Sequence, residues 1–133
     1  MEDAIKKLKE LSLTEPIASY LDLRLLEISS GYAKASIKMK PQYINFVSKV
    51  FGGIIMSVTD QAMAYATNSL FSPNVATQFN THFIAAAAAD DGLTAECRVI
   101  KSGKRFCVSQ ITVVNQDGKL VASATGTTIP LVK

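Results

Sequence analysis

The sequence predicts an α+β architecture in which a curved antiparallel sheet wraps one long central helix, with a short helix ahead of it. Three observations carry this expectation. From Val50 through Ala89, Asp60 is the only formally charged side chain in forty positions. A helix of that composition has to be enclosed by protein, because a surface helix shows a broad polar stripe. Downstream of it the chain is β-patterned and punctuated by Asp91-Gly92, Ser102-Gly103 and Asp117-Gly118, the spacing of successive hairpins. At 133 residues, 48% hydrophobic and 19% charged, the chain suits one globular core spanning 1–133.

Ile5, Leu8 and Leu11 recur at helical spacing between lysines and acids, so a short amphipathic helix opens the chain. Thr14-Glu15-Pro16 has the form of a second helix start, with the Thr14 hydroxyl as cap and proline in the first turn, where its missing N–H costs nothing. That turn or two reaches about Tyr20. Leu21 to Ile28 is strand-like, Ser29-Ser30-Gly31 is a turn, and Tyr32 to Met39 alternates Ala33, Ala35, Ile37 and Met39 with polar residues. The pair is a hairpin with one wet face. Pro41 to Lys49 is a loop, Gly52-Gly53 precedes the central helix, and that helix runs from Ile54 to Leu70.

Four strands are expected after it: Val75 to about Ala87, Thr94 to Lys101, Phe106 to Asn115 and Lys119 to Ile129. The alanine run Ala85 to Ala89 is assigned to the first of these, because it continues a β-patterned segment. Asp117-Gly118 suits a type I′ turn. One long helix enclosed by a curved antiparallel meander is the hotdog arrangement, whose open sheet edge pairs with a second copy. A homo-oligomer is expected, a dimer at minimum and a tetramer beyond it.

Composition narrows the chemistry. No apolar run approaches the ~18 residues of a membrane helix, so a soluble, cytoplasmic protein is expected. The net charge of +3 is spread along the chain without interleaved aromatics, which disfavours nucleic acid. One histidine, His82, and two cysteines without a CxxC pair leave no zinc constellation, and no metal or redox cofactor is expected. His82 reads as a structural strand residue, which also weakens any histidine-based nucleophile scheme. A two-residue loop at Ser102-Gly103 would set Cys97 opposite Val108 and turn Cys107 to the other face, barring a disulfide; a three-residue loop would bring the sulfurs together. In a reducing compartment both behave as small buried apolar residues.

Asp60 is the main candidate for chemistry. A lone aspartate in a buried helix costs several kcal/mol, on the order expected for buried ions, unless it is hydrogen-bonded or opens onto a wet cavity. Hydrogen bonds to neighbouring backbone amides or to hydroxyls such as those of Ser57 and Thr59 are one way to meet that cost, and function is the other. Gly52-Gly53 lets a ligand approach the free N–H groups of a helix start, and Asp60 follows seven residues after Gly53. The densest basic cluster, Lys101, Lys104 and Arg105 around Gly103, suits a small polyanion such as a nucleotide or coenzyme A.

The segment from Asn45 through Phe51-Gly52-Gly53 to Asp60 resembles the signature of hotdog-fold acyl-CoA thioesterases of the phenylacetic acid degradation type: an Asn, a His-Gly-Gly six residues on, and an Asp inside the helix. The likeness extends through Asn80 to Phe83, Gly103-Lys104-Arg105 and Asp117 to Ala122, about residues 20 to 130. It implies a hydrolase releasing a carboxylic acid and free coenzyme A without a cofactor. In that scheme the Gly53 amide polarises the thioester carbonyl and Asp60, contributed across the dimer interface, acts as general base or nucleophile. Asn45 holds the substrate or the loop, and Thr77, or Ala76 if the alignment shifts by one, faces the attacking water. Phe51 and Gly52 border the substrate, and Lys101, Gly103, Lys104 and Arg105 meet the coenzyme A phosphates. Phe51 stands where the family has histidine, which implies reduced or redirected activity. It equally suits a non-catalytic acyl-CoA or lipid-binding hotdog. A hydratase is disfavoured because His82 lies away from the helix start.

Overall fold

The computed structural model describes residues 2–131. Helix α1 (Glu2–Ser12) and the short α2 (Pro16–Leu21) lead into a hairpin of β1 (Leu23–Ser29) and β2 (Tyr32–Lys38). A 3-10 turn at Pro41–Tyr43 precedes α3 (Gly52–Asn68), and β3 (Asn74–Phe83), β4 (Gly92–Ser102), β5 (Cys107–Val114) and β6 (Leu120–Pro130) follow. The six strands form one antiparallel sheet in the order β1-β2-β4-β5-β6-β3. This is the hotdog arrangement, with α3 lying in the hollow and contacting every strand.

Strand alternation puts apolar residues in that hollow, many of them small: Ala33 and Ala35 on β2, Leu93, Ala95 and Cys97 on β4, Ile111 and Val113 on β5, Ala122 and Ala124 on β6, all buried. From α3, Val58, Ala62, Met63 and Ala66 press into it. Gly126 makes room for Met63, since a methyl group there would stand 2.2 Å from Met63 Sδ. The loop before α3 is fixed from both ends. Tyr43, buried, donates its hydroxyl to Leu21 O at 2.6 Å, and its own carbonyl accepts the Phe51 amide at 2.8 Å.

Several local expectations are corrected. Gly52 and Gly53 form the first turn of α3 instead of preceding it. The second helix is capped by Glu15 with no side-chain cap bond, so the Thr14 hydroxyl is not used. Strand β3 ends at Phe83, and Ala85–Ala89 is irregular, because the Ile84 and Ala85 amides both turn onto Val121 O and leave the ladder. The Asp117-Gly118 turn is not type I′: only Gly118 has positive φ (80°), and Asn115 Oδ1 takes the Asp117 and Lys119 amides. Nor is α3 enclosed on all sides. Gly53, Met56, Ser57, Asp60, Ala64 and Asn68 form a stripe that the chain itself leaves at least partly open.

Neither loop length considered for the cysteines is realised. Ser102 pairs with Cys107 across a four-residue loop, and a bulge between Val99 and Lys101 sets Cys97 opposite Ile111. Both sulfurs point into the hollow, but Cys107 lies four residues from Cys97's partner, about 13 Å along the strand. Both are free and buried, and burial pushes the Cys97 thiol up to about 12.

Two outcomes follow. Folded protein yields no reaction with a water-soluble disulfide reagent at neutral pH, and both thiols titrate after denaturation; rapid labelling of the native chain would contradict this burial. Gly126→Ala lowers the stability measured by urea denaturation by about 1–3 kcal/mol, the usual cost of overpacking. An unchanged midpoint would show that Met63 swings away freely.

Candidate active site

The approach to α3 is a compact turn built on Asn45. Its Oδ1 accepts the Val47 amide at 3.1 Å and the Lys49 amide at 3.0 Å, while its own amide donates to Lys49 O at 2.7 Å. Ser48 takes positive φ (63°) to close the turn, and Ile44 and Val50 bridge across its base. Asn45 therefore shapes the loop, and with Oδ1 engaged twice it aims Phe51 and the helix start.

At that start the Ile54 amide donates back to Phe51 O at 2.9 Å. The Gly52 and Gly53 amides have no carbonyl behind them, as helix geometry requires of a first turn. The two glycines are demanded by aromatic rings. A methyl group on Gly53 would lie 2.6 Å from Phe51 Cε2, and one on Gly52 would lie 3.2 Å from Phe83 Cζ. Phe51 is folded over Gly53 yet still more than half exposed, so an apolar ring borders the free amides. A cleft of about 250 Å³ opens beside Gly52 between Lys49, Ile55, Phe83 and Ile84.

Asp60 lies on the open stripe of α3, two turns beyond Gly53 on the same face. The hydrogen bonds that would have made it merely structural are not formed. Ser57 Oγ donates to Gly53 O at 2.7 Å and Thr59 Oγ1 to Ile55 O at 2.9 Å, and among the described residues no group donates to the Asp60 carboxylate. Partial burial, and then the negative charge of Glu15, raise its pKa above the usual carboxylate range. Glu15 is held in place by α3 itself: its Oε1 accepts Gln61 Nε2 at 2.6 Å and Tyr65 Oη at 2.9 Å. Composition and spacing did not single Glu15 out. The only signal was its place beside Pro16, which marked a helix start and nothing more.

Thr77 is the extra residue of a bulge between Ala76 and Gln78 on the outer strand β3. It is exposed and donates Oγ1 to Thr127 O at 3.3 Å. Bulges re-aim side chains at strand edges, and this one sits on one of the two edge strands, β3, which has no strand on its outer side among the described residues. Lys101, Gly103, Lys104 and Arg105 are exposed around the β4–β5 turn, with Lys101 Nζ 4.9 Å above the Phe106 ring. That turn is at the far end of α3: Ser102 Oγ lies 3.7 Å from Cys107 Sγ, which lies 3.9 Å from Asn74 Nδ2, just past the helix C-terminus. Within one chain, then, the structure brings Asn45, Phe51, Gly52 and Gly53 together, sets Asp60 midway, and puts the basic turn at the opposite end. His82 is exposed on β3 opposite Ser123.

Comparison with known proteins gives this geometry a context. A family model described as the thioesterase superfamily matches residues 48–122, more than half of the chain. The acyl-coenzyme A thioesterase PaaI of Escherichia coli is 33% identical over 105 residues, covering 79% of this chain and 75% of that protein. A protein of Archaeoglobus fulgidus assigned as an esterase is 35% identical over 107 residues, 80% of this chain and 70% of that one. The solved structure of the E. coli PaaI protein from the phenylacetic acid degradation operon superposes with a TM-score of 0.89 at 28% identity, covering 96% of this chain and 94% of that one. A phenylacetic acid degradation protein PaaI from Thermus thermophilus superposes with 0.84 at 26% identity, covering 88% and 100%. With the helix start, the carboxylate and the wrapped helix all in place, the chain belongs to the thioesterase superfamily and is a hotdog-fold member of the PaaI type.

Proposed function

We propose that this protein is an acyl-CoA thioesterase that hydrolyses a thioester to a carboxylic acid and free coenzyme A. The observation that carries the proposal is the pairing, on one face of α3, of free Gly52 and Gly53 amides with an Asp60 carboxylate that no group among the described residues neutralises. The Gly53 N–H stabilises the oxyanion as the carbonyl is attacked, and Asp60 is the general base for water or the nucleophile itself. Gly52 and Phe51 border the thioester, Asn45 holds the loop that presents them, and the Thr77 hydroxyl faces the attacking water. Lys101, Lys104 and Arg105, with the Gly103 backbone, take the coenzyme A phosphates.

The site is completed by a second copy. Gly53 and Asp60 of one chain are about 10 Å apart along the helix axis, whereas each must come within about 3 Å of the reacting group. The ten-residue edge of β3 has no partner in the chain, and antiparallel pairing of two such edges would bring two α3 helices side by side in opposite directions. Gly53 of one copy then approaches Asp60 of the other, and the basic turn is carried toward the other's helix start. A dimer is the minimum and a tetramer a further packing of dimers. A cytoplasmic setting suits two unpaired thiols.

A second reading, a non-catalytic acyl-CoA-binding protein, is favoured by the Phe51 ring lying against Gly53 where a polar side chain would help orient the carbonyl. Release of free thiol from a panel of aliphatic and aryl acyl-CoA esters separates the two. Turnover by the wild type that falls by about a hundred-fold or more in Asp60→Asn, on the scale of losing a general base, establishes the enzyme. Binding without turnover, with turnover restored in Phe51→His, establishes the second reading.

The acid limb of the wild-type pH–rate profile lies above the ordinary aspartate value of about 3.9, because Asp60 must be ionised and its pKa is raised. Glu15→Gln keeps the acceptor for Gln61 and Tyr65 but removes the charge, so the limb moves to lower pH. A limb that stays put would show that Glu15 does not act on Asp60. Stability runs the opposite way. A carboxylate whose folded pKa is raised favours the fold only at low pH, and that contribution is lost as pH rises through the folded value. Asp60→Asn therefore raises the denaturation midpoint at neutral pH, and the gain shrinks as the pH is lowered below the carboxylate's titration.

A further inference from the structure

Between α1 and α3 lies an open cavity of about 370 Å³ that the catalytic groups do not use. Its walls are Leu8 and Leu11 from α1, Pro16, and Ala64 and Tyr65 from α3. We propose that it is the chamber for the hydrocarbon end of the acyl group, and that it sets the chain-length preference of the enzyme; the inference rests on the thioesterase reading.

Three observations carry it. The first is continuity with the reacting centre. Asp60, Ala64 and Asn68 are spaced by four on one face of α3, so the cavity begins one turn, about 6 Å, beyond the carboxylate and on the side away from Gly53. A thioester carbonyl held at Asp60 can send its tail along that face, and only a tail longer than the turn reaches the cavity.

The second is the state of the polar groups on its wall. Glu15 Oε1 is taken by Gln61 and Tyr65, and its Oε2 has no donor among the described residues, so the carboxylate is the one charge of the lining. Asn68 uses both ends of its amide: Nδ2 donates to Ala64 O and Asn74 O, and Oδ1 accepts from Ser72 Oγ and the Asn74 amide. Among the described residues this leaves the Thr14 hydroxyl as the one side-chain hydroxyl of the lining without a bond. The lining therefore repels an anion and offers one free hydroxyl donor, Thr14, while an alkyl or aryl tail would find leucine, proline, alanine and the tyrosine ring.

The third is the condition of α1. It is amphipathic, yet none of its residues is buried, and Leu11 is 51% exposed although it faces the cavity. The helix packs on β1 and stands off α3, held there by the Glu15 strap. Its apolar stripe is thus only half used, and a hydrocarbon tail would complete its burial. At about 370 Å³ the space falls in the lower part of the range for small-ligand pockets, which suits a medium-length alkyl or a single aryl tail.

The test compares wild type, Ala64→Phe, which fills the chamber from its floor, and the double variant Leu8→Ala/Leu11→Ala, which strips its roof. The first readout is the ratio of kcat/KM for octanoyl-CoA to that for acetyl-CoA. A fall in that ratio of about ten-fold or more in Ala64→Phe, with a smaller fall in the double variant, is the expected result, since even one methylene in an apolar pocket changes discrimination that much. The second readout is calorimetric affinity for S-octyl coenzyme A, a thioether that cannot be hydrolysed, relative to coenzyme A. The wild type prefers the thioether and Ala64→Phe loses the preference. If the wild type hydrolyses no ester, the thioesterase reading fails, while the thioether preference still decides the chamber. Should Ala64→Phe not fold, the double variant decides alone, because α1 buries no residue. Unchanged ratios and affinities in the folded variants overturn the proposal. So does a change in sedimentation mass in Ala64→Phe without a change in ratio, which would mean that a second copy packs into the cavity.

Discussion

The close seat of α3 in the hollow of the sheet depends on small residues on both sides of the contact. Ala62 and Ala66 on the helix face Ala33, Ala35, Ala95, Ala122 and Ala124 on the strands, and all are buried. Met63 is the one long side chain that penetrates deeply, and it does so because Gly126 offers no Cβ to stop it. The opposite face of the helix carries Gly53, Ser57, Asp60 and Ala64, which the chain leaves at least partly open. A bulkier interface would lift the same stripe away from β3 and from the strap at Glu15. Packing in the hollow therefore sets where the open stripe lies, since well-packed interiors feel even a methylene's change in volume.

That stripe concentrates negative charge where burial makes it unfavourable. Asp60 stands on α3 with no donor to its carboxylate among the described residues, and Glu15 is held alongside by Gln61 and Tyr65. The same Glu15 contacts keep the segment between α1 and α2 on the helix, so one side chain both tightens the fold and raises the Asp60 pKa. Like charges near one another favour the neutral form of the weaker acid. Ionised at neutral pH, such a carboxylate costs stability, and carboxylates raised in this way cluster at functional sites.

Polarity is distributed along α3 in a definite order. The free amides and the Phe51 ring mark its beginning, Asp60 its middle, and the apolar cavity under α1 its second half, while the basic β4–β5 turn lies past its end. Exposed cations, free amides, a carboxylate and an apolar cavity are thus kept apart along the helix. On the function proposed above, separation of this kind would let a long, chemically uneven thioester be read along its length, with a second copy supplying what one chain holds too far apart.

The sequence by itself determined the architecture, the central helix, the hairpin of Leu21–Ile28 with Tyr32–Met39 and the position of Asp60. These follow from local signals: uncharged composition over forty residues, period-two alternation, and glycines at turns. It also brought Asn45, Gly52 and Gly53 together, because they are close in the chain and their geometry is set by one tight turn. Only the tertiary structure decided the rest. Ala85–Ala89 leaves the sheet because two amides compete for Val121 O, which no propensity records. The two cysteines are separated by a bulge and a loop length that spacing leaves open. The role of Glu15 arises from side chains forty-six and fifty residues away, and the half-open face of α3 from what α1 fails to cover. Period and composition report which residues seek burial; which partners they meet, and which faces stay open, depends on contacts between segments distant in the chain.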